Sequence, residues 1–147
     1  MSSTSVAIVL SLIAGVAGAM QASVSGAFGR RIGVLEATAF SAVFGAIVVV
    51  VIASAAGRAP GIAEGFRQPA WLWSTGLFGA FILTTLTFAP SRLGTYATVA
   101  LLIGGQLLTG ALLDAFGWAG SERVPFTFAR AIGLVLIAAG AFLTLRR

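Results

Sequence analysis

The sequence predicts an all-helical integral membrane protein of five transmembrane helices. Three observations lead there. Of 147 residues, 59% are hydrophobic and only 9% are charged, against roughly 25% charged in an ordinary soluble domain. Mean hydropathy is strongly positive, at +1.04. The apolar residues also fall into five runs of about 20, the length a helix needs to cross a hydrocarbon core about 30 Å thick.

The predicted spans, at residues 5–27, 37–56, 70–89, 93–113 and 125–145, make one transmembrane domain over 1–147. The first runs from Ser5 to Ala27 without a charge. "AGA" at Ala17–Ala19 has the small residues of a leader cleavage site. No Lys or Arg precedes it, however, and the apolar run continues beyond it, so the segment reads as a retained span. "GRRIG", Gly29–Gly33, predicts a tight connection with Arg30 and Arg31 in the headgroups.

The second span follows Glu36, a carboxylate placed favourably at a helix start. Its β-branched run Ile47–Ile52 would suit a strand in water. In lipid a lone strand leaves its backbone unpaired, so helix is expected. The strict alternation of an outer-membrane barrel is missing.

Gly57–Pro69 reads as a polar loop, with Trp71 and Trp73 at its membrane edge. The third span follows. Its Thr84, Thr85 and Thr87 are expected to satisfy their hydroxyls on their own helix. "PSRLG" predicts a short turn before the fourth span, and Phe116–Pro125 forms the last loop, with Trp118 as an interfacial anchor. Pro69 and Pro125 stand at or just before helix starts, where a missing N–H costs nothing.

Cysteine and histidine are absent. Disulfides, His/Cys metal sites and Cys- or His-based catalysis are therefore excluded. No nucleophile–base pair, phosphate loop or cofactor motif occurs, so nothing points to an enzyme. All nine basic residues are arginine and the net charge is +5. They stand singly or in pairs between apolar runs, so lipid headgroups, not nucleic acid, are their partners. With five spans, four arginines (Arg58, Arg67, Arg123, Arg130) face one side and five (Arg30, Arg31, Arg92, Arg146, Arg147) the other. That bias slightly favours a cytoplasmic C-terminus. It fits either a single orientation fixed by other features or insertion both ways, with opposed copies pairing.

Helices in lipid gain nothing hydrophobic by meeting and associate through close packing of small residues. Gly15, Gly18, Ala22 and Gly26 form a ridge on the first span, and Gly105 and Gly110 continue the theme on the fourth. Polar groups in hydrocarbon each need a reason. Gln21 and Gln106 either bond between helices or line a cavity that binds a polar substrate, with Ser25 one turn from Gln21. Gln106, Gly110 and Asp114 follow at four-residue steps on one broad face. Asp114 is either an interfacial acid paired with Arg123 or Arg130, or a proton or cation site. Arg130 either snorkels outward or binds an anionic group. Asp114 and Arg130 are the candidates for coupling.

Glutamine ahead of Gly-Arg-Arg-x-Gly, then "GGQ" at 104–106, "DAFG" at 114–117 and "RAIGLVLIAAGAFL" from Arg130 resemble the short YdcZ-like branch of the drug/metabolite transporter superfamily, over nearly the whole chain. The resemblance implies a bacterial inner-membrane exporter of a small molecule, one half of a ten-helix inverted-repeat architecture, working as a homodimer or paralogous heterodimer. An odd helix count inverts fused halves, which fits the balanced arginines. Four-helix multidrug members of the superfamily carry a membrane glutamate in their first helix. Here the first span has Gln21 and no acid, so that coupling chemistry does not transfer. The expected function is secondary transport by alternating access around a midplane pocket in a dimer, probed by Gln106→Leu. The alternative is a non-transporting scaffold or accessory subunit. A channel would want a ring of charges or carbonyls, which the sequence lacks.

Overall fold

Two glycines set where the helices break. Gly33 (φ 103°, ψ 151°) and Gly94 (φ 86°, ψ 159°) hold a backbone conformation nearly reserved for residues without a Cβ. Each ends one helix and starts the next, and each accepts the first hydrogen bond of the new helix through its carbonyl (Ala37 N–H at 3.1 Å, Thr98 N–H at 3.2 Å). A computed structural model describes residues 3–117, 123–125 and 127–144. Trp118, Leu145, Arg146 and Arg147 lie outside the described residues.

The described chain is helical and contains no strand. Its elements are α1 (Ser3–Ile32), α2 (Val34–Ala55), α3 (Ala59–Gly65), a 3-10 turn (Ala70–Trp73), α4 (Ser74–Phe88), α5 (Pro90–Leu93), α6 (Thr95–Phe116) and α7 (Phe128–Thr144). Four stretches are long and apolar enough to cross a membrane: α1, α2, the run Ala70–Leu93 and α6. α7 is apolar but has 17 described residues, about 26 Å at the usual helical rise.

Several boundaries differ from the sequence expectation, for local reasons. α1 runs on through Gly29, so Arg30 and Arg31 lie in its last turn, where cations complement the helix dipole. The chain breaks only at Gly33. Glu36 is consequently inside the first turn of α2, with its carboxylate over the N-cap Gly33. The polar loop folds into α3, with Pro60 in its first turn. "PSRL" is a helical turn, α5, not an open connection. Asp114 falls in the last turn of α6, which extends to Phe116.

The chain divides into two compact units, one holding the residues up to Ala22 and those from Arg92 onward, the other Ser23–Ser91. In the first, α6 packs on α7. In the second, α2 packs on α4, and the end of α1 lies against α4 and α5. There a Cβ on Gly26 would stand 2.9 Å from Pro90 Cβ, and one on Gly29 would stand 2.7 Å from Thr87 Cγ2.

The buried residues are mostly small, Ala22, Ala37, Ala97 and Ala141, with Ser25, Thr38, Thr87 and Thr98; Leu86 is the large apolar exception. Large apolar side chains point outward, Leu12, Val16 and Leu136 in the first unit and Val49, Leu77 and Phe81 in the second. This is the arrangement expected when the solvent is lipid and helices meet through small side chains. The buried threonines each donate to a carbonyl one turn back, Thr38 to Val34 (2.8 Å), Thr87 to Leu83 (2.9 Å) and Thr98 to Gly94 (2.8 Å). Thr84 and Thr85 do the same on α4, as the sequence suggests.

Candidate functional site

A hollow of about 390 Å³ lies along α6 and α7 in the first unit. Helical spacing builds it. Gln106, Gly110 and Asp114 are at successive turns of α6, and Arg130, Gly133 and Ile137 recur at three- and four-residue steps on α7. Gly110 and Gly133 present no side chain, which leaves the space. Leu107, Ala111 and Leu134 supply apolar walls.

The polar end is an ion pair. Arg130 Nη1 donates to Asp114 Oδ2 at 3.4 Å, with the two side chains 43% and 39% exposed. Of the two partners the sequence leaves open for Asp114, the structure selects Arg130. Arg123 instead donates from Nε to the Ala115 carbonyl at 3.4 Å. The Val124 N–H donates to the Asp114 carbonyl at 3.0 Å, which folds the described part of the loop back on the end of α6. Thr127 Oγ1 accepts from the Arg130 N–H at 3.4 Å in the approach to α7.

Of the three residues read as substrate-binding, only Gln106 lines this hollow; it is exposed there and borders a second hollow of about 480 Å³ beside Gly105 and Thr109. Gln21 is exposed on α1 in the first unit, and Ser25 is buried in the second. Both coupling candidates, Asp114 and Arg130, are at the site. Of the packing glycines, Gly110 lines it, and Gly105 lines a further hollow of about 330 Å³ with Leu134 and Ala138. Around Gly15, Gly18, Gly105 and Gly110 a Cβ would meet nothing within 4 Å.

Sequence reasoning passed over Gly133 as a site residue, as well as Thr127 and the Val124 N–H. The spacing Arg130–Gly133–Ile137 was the available signal for Gly133. The other two depend on how the loop returns, which spacing does not encode. Among the described residues no group of His, Cys, Asp and Glu could hold a metal ion.

Comparison with known proteins places this sequence in a family. Residues 6–143 match the family model described as "Putative inner membrane exporter, YdcZ". The chain belongs to the YdcZ family. The inner membrane protein YdcZ of Escherichia coli (strain K12) is 33% identical over 79 residues, an alignment covering 52% of this chain and 51% of that protein. The chain thus spans about half the length of the curated relative it matches. No solved structure matches it. As a YdcZ-family protein with several membrane-length helices, it is a multi-pass protein of the bacterial inner membrane. The family description, an inner membrane exporter, supports a transporter-like role within a bilayer.

Proposed function

We propose that this chain is one half of a secondary exporter and that two copies, or this chain and a paralogue, enclose a polar pathway. The carrying observation is the α6–α7 hollow, where an amide and an ion pair stand on otherwise apolar helices. An ionisable residue within the membrane is by default a candidate functional group, with its partner named. In this reading Gln106 binds substrate with Gln21 and Ser25, and Asp114 and Arg130 couple binding to conformational change. α7 is the fifth span, and the described helices form half of an inverted-repeat assembly. The nearly balanced arginines favour an antiparallel pair. The outward apolar faces and open glycines supply surfaces on which helices of a second chain can pack closely. Transport proceeds by rocking around the enclosed pocket.

The test is release from proteoliposomes loaded with a bacterial metabolite extract, followed by mass spectrometry of the external solution. Purified protein is expected to release at least one small polar solute faster than protein-free vesicles, and Gln106→Leu is expected to abolish that release. Release unchanged in Gln106→Leu overturns the pocket assignment. No protein-dependent release of any solute overturns transport by the chain alone and favours the accessory-subunit reading.

A further inference from the structure

The two charges of the site stand at the wrong ends of their helices. Asp114 is in the last turn of α6, beside the negative end of its dipole, and Arg130 is in the first turn of α7, beside the positive end. Exchanging the two residues would satisfy both dipoles. As built, each charge is opposed by its own helix and held by the other through a single contact of 3.4 Å, longer than the 2.7–2.9 Å of a strong charge-assisted hydrogen bond. Both side chains are partly exposed, which weakens the pair further. The bond opens easily, but leaving either charge alone is unfavourable.

That asymmetry selects a ligand. A cation taken by Asp114 leaves Arg130 with no other acidic partner among the described residues, at the positive end of α7. An anion taken by Arg130 leaves Asp114 unpaired at the negative end of α6. The neighbouring Arg123 donates from Nε to the Ala115 carbonyl and makes no ion pair with Asp114. A ligand carrying both charges replaces each partner at once. Beside the pair the walls are apolar, formed by Leu107, Leu134 and Ile137 around the space at Gly110 and Gly133. We propose that the α6–α7 hollow takes a zwitterion with an apolar body, its ammonium on Asp114 and its carboxylate on Arg130, so that the ion pair is a latch opened by the ligand. This rests on the exporter reading of the same site and names its substrate class.

The experiment uses the full chain in lipid nanodiscs and three probes of one skeleton: L-leucine, its decarboxylated analogue 3-methylbutylamine, and its deaminated analogue 4-methylpentanoate. Calorimetric titration is expected to show L-leucine binding at least tenfold tighter than either analogue, and Asp114→Asn and Arg130→Gln each weakening it at least tenfold. The exchange D114R/R130D is expected to raise the thermal midpoint while weakening L-leucine binding at least tenfold, since a latch aligned with both dipoles is harder to open. A single-charge analogue binding as tightly as L-leucine overturns the zwitterion. A lowered midpoint in the exchanged protein overturns the dipole conflict. Protein-dependent release of some other solute from the extract-loaded vesicles, without L-leucine binding, overturns this inference and leaves the exporter standing. Absence of both release and binding removes both.

Discussion

The methyl of Thr87 lies 2.7 Å from where a Cβ on residue 29 would stand, and the Thr87 carbonyl 3.3 Å from it, so Gly29 is what lets α1 and α4 touch. The Thr87 side chain is held by its bond to Leu83 and cannot easily turn aside. Gly29→Ala is expected to destabilise the chain by about 1–2 kcal/mol, the overpacking penalty less the helix propensity gained by alanine. Thr87→Ser removes the offending methyl and is expected to recover part of the loss in the double variant. Thermal midpoints in detergent test both.

Gly94 carries strain of another kind. A Cβ there would meet nothing within 4 Å, yet φ is +86°. Gly94→Ala is expected to cost about 1–3 kcal/mol from the backbone alone. A cost below that range would mean that the chain turns between α5 and α6 with ordinary dihedrals.

Gly15 and Gly18 make the opposite case, since both are helical with open space around them. Gly15→Leu and Gly18→Leu are expected to leave the thermal midpoint of the single chain nearly unchanged, within about 0.5 kcal/mol, while reducing cross-linked dimer several-fold. Undiminished dimer would remove this ridge from the interface.

Gln106 is exposed on the single chain. Gln106→Leu is therefore expected to fold normally, with stability changed by no more than about 0.5 kcal/mol. A larger loss would mean that the amide holds the helices together and does not serve a ligand.

The absence of cysteine makes topology directly measurable. Ser3→Cys and Thr144→Cys, each labelled in intact cells with a membrane-impermeant maleimide, are expected to react in about half of the molecules if the chain inserts both ways. Full labelling of one site and none of the other fixes a single orientation with five crossings. Equal and complete labelling, or protection of both, puts the two sites on one side and removes α7 from the spans.

The membrane helices were legible because hydropathy reports the partition between lipid and water; the β-branched run Ile47–Ile52 competes only until lipid is taken as the solvent, where a lone strand is excluded. The helices break at Gly33 and Gly94, yet the apolar pattern puts the span limits at Ala27, Ala37, Leu93 and Leu113. Hydropathy ends where charges begin, whereas a helix continues until its backbone is interrupted. The alternatives for Asp114 stayed open because Arg123 and Arg130 lie at comparable sequence distance, and only the return of the loop along α6 decides between them. Gly29 read as a turn residue. Its role depends on Thr87, which lies more than fifty positions further along the chain and shares no periodicity with it. The dipole conflict at Asp114 and Arg130 required the true ends of α6 and α7, which the apolar pattern placed a few residues away.

The hydroxyls of Thr38, Thr87 and Thr98 bond inside their own helices. None of the three spends its hydroxyl on a neighbouring helix, so at each of these points helix meets helix by packing alone. Contacts of that kind can re-form in a shifted register without stranding a donor in hydrocarbon, where no water would replace the lost bond.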